Sequence, residues 1–145
     1  MQNCTNRLSG RYENILWCVK DINNYVFNLD DVRIPYLSEH DKRFQDGNGR
    51  NPTNVWYFDI VNNQKKMSLD ITHPCVYPLE MIMRIIKMSS NVGDTILDPF
   101  LGSGTSLVAA KLLDRNGIGF ELDERYAKEI EMRLEIEGTK SKSLF

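Results

Sequence analysis

The stretch from residue 98 to residue 105 contains the residue types best suited to binding a small polar ligand. It reads Asp98-Pro99-Phe100-Leu101-Gly102-Ser103-Gly104-Thr105, after a short apolar segment and before an apolar helical pattern. Gly102 and Gly104 let the backbone turn tightly and approach a ligand without an intervening Cβ. The N-terminus of the following helix offers free N–H groups and a positive potential to an anionic group, here a carboxylate.

Glu121 provides a second group of this kind, at the end of the predicted strand Ile118–Glu121. An acidic residue at such a strand end accepts hydrogen bonds from ribose hydroxyls in dinucleotide-binding folds. Phosphate-binding loops fit poorly, because the sequence has no G-x-x-x-x-G-K-[ST] and no third glycine at the dinucleotide spacing. A glycine turn without any ligand remains the structural alternative.

The elements predicted to position these residues form a β-loop-α-β-α unit. A helix with a broad apolar face runs from Pro78 to about Met88 and precedes the unit. The unit itself comprises strand Thr95–Leu97, helix Ser106–Leu113, strand Ile118–Glu121 and helix Glu124–Glu137. The two strands should be parallel, because a helix connects them.

The last predicted helix has Asp123 as its N-cap. Its apolar face consists of Ala127, Ile130 and Leu134. Two i,i+4 pairs of opposite charge are predicted on its solvent-exposed side, Glu124/Lys128 and Glu129/Arg133.

Length and composition indicate one soluble globular domain or a large piece of one, with 145 residues, 41% hydrophobic and 26% charged. The formal net charge of -2 lacks the basic excess expected of a duplex-DNA-binding protein that acts alone. The candidate phosphate contacts are the basic residues of the first part, Lys42-Arg43, Arg50 and Lys65-Lys66.

Three cysteines without a CxxC and without clustering around the two histidines predict reduced thiols, no metal site and a cytoplasmic location. No apolar run reaches the roughly 18–20 residues of a membrane span. In the first part of the chain, Glu13–Lys20 has the composition of a buried strand, Asn54–Ile60 is also strand-like, and the sequence between them is rich in turns.

Asp98–Thr105 resembles motif I of the S-adenosylmethionine-dependent methyltransferases that modify exocyclic amino groups of DNA bases. Upstream, Thr72–Pro78 resembles their motif X, and the order motif X then motif I is that of the β class. The looser similarity before Thr72 includes Phe27–Pro35 and Asn51–Trp56, which resemble segments around the recognition loop of these enzymes.

The resemblance implies an α/β fold: a partial Rossmann-like methyltransferase fold, with a mostly parallel sheet flanked by helices and a loop-rich insertion. It divides the chain into a strand-rich part of the sheet at 1–35, a target-recognition segment at 36–71, a cofactor-binding unit at 72–137 and a flexible tail at 138–145.

The resemblance also implies a role for each matching residue toward S-adenosylmethionine. Asp98 and Phe100 would line its methionine and adenine parts, and Glu121 would bind the ribose. The carboxylate end would be held by Gly102, Ser103, Gly104 and Thr105, with His73 and Pro74 beside the methionine moiety. Tyr77 stands where the family's motif X has a lysine, so that contact is not carried over.

The catalytic loop of these enzymes, (Asp/Ser/Asn)-Pro-Pro-aromatic, is absent from the sequence. None of the five prolines is adjacent to another, so no catalytic residue is assigned. We therefore expect either that a separate polypeptide supplies the loop or that the front part was lost by truncation. Association with a companion polypeptide or with a second copy is also expected, because a partial sheet leaves an unpaired edge. Double-stranded DNA is the expected substrate.

Several functions are compatible with these residues. The first is the cofactor-binding part of a DNA adenine-N6 methyltransferase, with cytosine-N4 as its close variant. The others are a non-catalytic cofactor-binding or DNA-binding remnant and an RNA guanine-N2 methyltransferase, some of which have a similar Asp-Pro-x-x-Gly-Ser-Gly-Thr.

Overall fold

A computed structural model describes residues 12–36 and 49–136 of the chain. Its elements in chain order are helix α1 (Asn63–Ser68), helix α2 (Leu79–Ser89), strand β1 (Thr95–Asp98), helix α3 (Thr105–Leu112), strand β2 (Asn116–Gly119) and helix α4 (Ala127–Ile136). Short 3-10 turns occupy Asp30–Val32 and Glu124–Tyr126. Within the described ranges, no helix is long and apolar enough to cross a bilayer.

The sheet of the described residues has two parallel strands, paired from Thr95 with Asn116 to Asp98 with Gly119. Helix α3 connects them, which confirms the predicted α/β class. Strand β2 begins two residues before the predicted Ile118, because the turn lies earlier than Asn116-Gly117. Asp114 takes the left-handed conformation with φ of 58° and completes that turn instead.

The apolar core lies between α2, α3 and the inner side of β1. Ile86 of α2 packs with Ala109 and Ala110 of α3, and Ile96 of β1 joins them. The predicted apolar face of α2 is therefore confirmed. Gly117 of β2 faces α3 so closely that an added Cβ would lie 2.5 Å from Leu107 Cδ2.

The first part of the chain differs from the sequence prediction. Glu13–Lys20 contains no strand, and its side chains are exposed rather than buried. Trp17 instead packs against Tyr25 and Phe27, with ring centroids 5.8 and 4.9 Å apart. A strand is stabilised by its neighbours, and none of the described residues pairs with this segment. Asn54–Ile60 likewise contains no strand, whereas α1 lies in the stretch expected to be loop. The division of the chain into segments stays a prediction.

The burial of side chains on helix α4 contradicts part of the prediction about its two faces. Ala127, expected on the apolar face, is exposed. Glu129 and Arg133, expected on the solvent side, are buried, with 7% and 3% of their surface exposed. Ile130 is buried as predicted. Both side chains have hydrogen-bond partners outside α4.

Ile86→Ala tests the core between α2 and α3. We expect it to lower the free energy of unfolding by about 2–5 kcal/mol, because it removes buried atoms and leaves a cavity. The same substitution at Ile22, which is 72% exposed, should change it by less than about 0.5 kcal/mol. Urea denaturation of both variants measures the difference, and equal effects would contradict this assignment of the core.

Candidate cofactor-binding site

The loop after β1 owes its shape to two glycines in the left-handed region. Gly102 has φ of 54° and Gly104 has φ of 81°, conformations that L side chains rarely adopt. A Cβ on Gly102 would lie 3.1 Å from the ring of His73, and one on Gly104 would lie 3.2 Å from Ile130. The glycines therefore let the loop lie against its protein neighbours.

Asp98 holds the beginning of this loop. One carboxylate oxygen accepts the backbone N–H of Phe100 at 3.0 Å, and the other accepts the hydroxyl of Ser106 at 2.5 Å. Because Asp98 ends β1 and Ser106 lies in the first turn of α3, these bonds link the strand to the helix across the loop.

Glu121 lies just beyond β2 and joins it to the same loop. Its Oε2 accepts the backbone N–H of Gly102 at 2.7 Å, and its Oε1 accepts that of Asp123 at 2.9 Å. The Asp123 amide lowers the pKa of the Glu121 carboxyl most, with the Gly102 amide adding to it, while desolvation acts in the opposite direction. A charged carboxylate has about four acceptor positions, so half-buried Glu121 keeps acceptor capacity for ribose hydroxyls.

His73 packs over Gly102 on one side and Tyr126 on the other, with the His73 and Tyr126 ring centroids 4.6 Å apart. Its Nδ1 lies 2.6 Å from the carbonyl oxygen of Cys75. Lys66 of α1 donates from Nζ to the carbonyl oxygens of His73, at 3.0 Å, and of Pro74. The segment from His73 to Cys75 is thereby held beside the glycine loop.

The predicted residues lie at the carboxyl edge of the two strands, but they differ in how far they are exposed to solvent. Ser103 and Thr105 are buried, whereas Pro74 is exposed and 89% of Phe100 is accessible to solvent. Within the set, the ring of His73 lies against Gly102, and Glu121 accepts the backbone N–H of Gly102.

Three residues of this region were missed or misassigned from the sequence. Glu129 contacts Thr72, the residue before His73, and Arg133 contacts the glycine loop. The sequence signal for their burial was their position relative to Ile130, since Glu129 is adjacent to it and Arg133 follows it by about one turn. Lys66 was predicted as a phosphate contact, but its ammonium group donates to backbone carbonyls instead. The predicted contacts Lys42-Arg43 lie outside the described residues.

The side of the sheet facing away from α3 is apolar and uncovered by the described residues. Leu97 and Ile118 are paired across the strands, and Phe120 follows on the same side. Their exposed fractions are 62%, 51% and 61%. Parallel sheets are normally covered on both faces, so the open face, defined by Leu97, Ile118 and Phe120, has the character of a contact surface.

A family model described as DNA methylase matches residues 1–132. The chain therefore belongs to the N6/N4 DNA methylase family. The Type II methyltransferase M.ScaI of Streptomyces caespitosus is 39% identical over 138 residues, which cover 90% of this chain and 45% of that protein. The DNA adenine methyltransferase YhdJ of Escherichia coli is 35% identical over 134 residues, 86% of this chain and 45% of YhdJ. The chain thus spans less than half the length of these relatives.

Solved structures of methyltransferases share the fold. The M1.HpyAVI complex with SAM matches with a TM-score of 0.50 and 28% identity, over 77% of this chain and 44% of that one. The cytosine-N4-specific PvuII DNA methyltransferase matches with a TM-score of 0.50 and 27% identity, over 57% of this chain and 32% of that one.

The lowered pKa of Glu121 predicts an acid-sensitive contribution to stability. Its carboxylate stabilises the fold fully above the ordinary pKa of 4.5, and this contribution is lost as the pH falls through the lower pKa of the folded state. Glu121→Gln should therefore have a lower melting temperature than wild type at pH 7, with the gap narrowing below pH 4.5.

Thermal melts between pH 7 and pH 3 measure this gap. The matched control is Glu131→Gln, which changes an exposed carboxylate on α4 and should give no gap that closes in acid. A constant gap for Glu121→Gln would contradict the role given to its hydrogen bonds with the backbone.

Proposed function

We propose that this chain is the S-adenosylmethionine-binding part of a site-specific DNA methyltransferase that methylates the N6 amine of adenine. The observation that carries the proposal is the bond between Glu121 and Gly102. It places an acidic acceptor directly beside a glycine loop and the N-terminus of α3. Such an arrangement at the carboxyl edge of parallel strands suits a nucleoside that also has an anionic end.

The residues present fit the cofactor part by part. The free acceptor positions of Glu121 would bind ribose hydroxyls, and the loop from Gly102 to Thr105 would hold the carboxylate. Asp98 would line the methionine part, while exposed Phe100 offers an aromatic face for the adenine. His73 and Pro74 would lie beside the methionine moiety. The bound cofactor would supply an electrophilic methyl group on a sulfonium.

Transfer to a base requires a pocket for an extruded nucleotide and a group that orients its amine. The (Asp/Ser/Asn)-Pro-Pro-aromatic loop that does this in the family is not among the 145 residues. We infer that polypeptide outside these residues supplies it and covers the open face. The relatives' greater length, of which this chain spans 45%, supports this assignment, as do the uncovered Leu97 and Ile118.

Adenine-N6 is proposed because YhdJ, a DNA adenine methyltransferase, is 35% identical over 134 residues that cover 86% of the chain. Cytosine-N4 remains the close alternative, since the loop that orients the amine lies outside the sequence. Double-stranded DNA is the proposed substrate, and the family match favours it over RNA guanine-N2. A non-catalytic remnant would bind the cofactor but support no transfer.

Calorimetric titration with S-adenosylmethionine tests the cofactor site. Wild type should bind saturably, and Asp98→Ala should weaken binding at least about tenfold, because the loop loses two hydrogen bonds that shape it. The matched control Asp59→Ala removes an exposed carboxylate and should leave affinity unchanged. A folded wild-type chain that does not bind would overturn the proposed cofactor role.

Complementation tests the open face. A polypeptide that contains the Pro-Pro loop, taken from a relative, should enable methyl transfer to DNA when added to wild type. Ile118→Glu should abolish that transfer yet keep cofactor affinity, because a charge would be buried at the contact. The control Val92→Glu alters an exposed apolar residue away from this face and should remain active.

Equal activity of Ile118→Glu and wild type would exclude the open face as the contact surface. Absence of transfer with any added polypeptide, combined with normal cofactor binding, would favour the non-catalytic remnant.

A further inference from the structure

Helix α4 has two buried charged side chains, and each contacts a different segment of the candidate site. Glu129, 7% exposed, accepts from the backbone N–H of Thr72 at 2.7 Å and from its hydroxyl at 2.8 Å, both at Oε2. Thr72 immediately precedes His73. A single carboxylate oxygen therefore attaches the beginning of the His73 segment to α4.

Arg133, one turn further along α4, binds the glycine loop. Its Nη1 donates to the carbonyl oxygen of Ser103 at 2.6 Å, to the Ser103 hydroxyl at 3.0 Å and to the Thr105 hydroxyl at 3.1 Å. Arg133 is 3% exposed, so these bonds form in a protected environment where they are stronger than in water. Glu129 and Arg133 together attach two separate segments to one rigid helix.

Stability alone does not account for Glu129. Its second oxygen, Oε1, is buried and has no hydrogen-bond partner in the described part of the chain. Burying an unpaired carboxylate oxygen is unfavourable, and an apolar side chain beside Ile130 would avoid that cost. The buried carboxylate of Glu129 is explained by the hydrogen bonds with which it positions Thr72.

We propose that Glu129 and Arg133 are positioning residues that hold the His73 segment in place against the Gly102–Thr105 loop, so that the two segments together receive the amino-acid end of S-adenosylmethionine. This inference rests on the proposed cofactor site. It assigns to α4 a role in affinity and in discrimination between ligands with and without that amino-acid end.

Paired substitutions on the full 145-residue chain separate positioning from folding. Glu129→Met and Arg133→Met remove the hydrogen bonds at similar length, whereas Glu129→Gln keeps an acceptor and Arg133→Lys keeps a charged donor. Binding is measured for S-adenosylmethionine and for 5′-methylthioadenosine, which has the adenosine but lacks the carboxylate and amino group.

The Met variants should lose about tenfold in affinity for S-adenosylmethionine but less than about threefold for 5′-methylthioadenosine. Glu129→Gln should return to within about threefold of wild type. Glu129→Met should also melt at or above the wild-type temperature, because it no longer buries an unpaired oxygen. The controls Glu131→Met and Lys128→Met alter exposed residues of the same helix and should bind both ligands normally.

Two results would overturn the proposal. One is wild-type affinity in both folded Met variants. The other is equal loss for the two ligands together with a matching fall in melting temperature, which is what a purely structural role predicts.

Hydrogen–deuterium exchange without ligand distinguishes this inference from the proposed function. Glu129→Met should speed exchange at the Thr72 amide, and Arg133→Met should speed it in the Gly102–Thr105 loop. If wild type binds no S-adenosylmethionine, the proposed function fails, whereas unchanged exchange in the variants would show that α4 does not position these segments.

Discussion

The arrangement of the site depends on the two backbone hydrogen bonds that the carboxylate of Glu121 accepts. The carboxylate accepts one backbone amide from the loop after β1 and another from the segment that leads toward α4. Parallel strands present their carboxyl ends at one edge, but their loops need a further constraint to stay together. Glu121 provides that constraint, and the position of Gly102 in turn leaves room for the ring of His73.

Hydrogen bonds from side chains to the backbone hold the other segments of the site. Lys66, Glu129 and Arg133 all attach backbone segments of the site to helices. The apolar core, by contrast, lies between α2 and α3, around Ile86. The binding edge is thus shaped by directional hydrogen bonds, which specify geometry more strongly than apolar contacts do.

The open face bears on the proposal that further polypeptide completes this unit. Leu97 and Ile118 remain exposed, although the opposite side of the same strands is covered by α3. Membership of the DNA methylase family, with relatives of which the chain spans 45%, fits the proposal that further polypeptide covers the second face. Cofactor binding and base recognition would then meet across this sheet.

Local pattern in the sequence determined α2, β1, α3, the parallel connection and the glycine loop, because helical periodicity and glycine turns depend on residues close in the chain. The nine residues expected to contact the cofactor also came from sequence, through the resemblance of two segments to motifs X and I, and their contacts with the cofactor stay a prediction. Only tertiary structure decided that Glu13–Lys20 is exposed without a paired strand, and that Glu129 and Arg133 are buried. Burial and strand pairing depend on partners distant in sequence, such as Thr72 and Ser103, which no local pattern specifies.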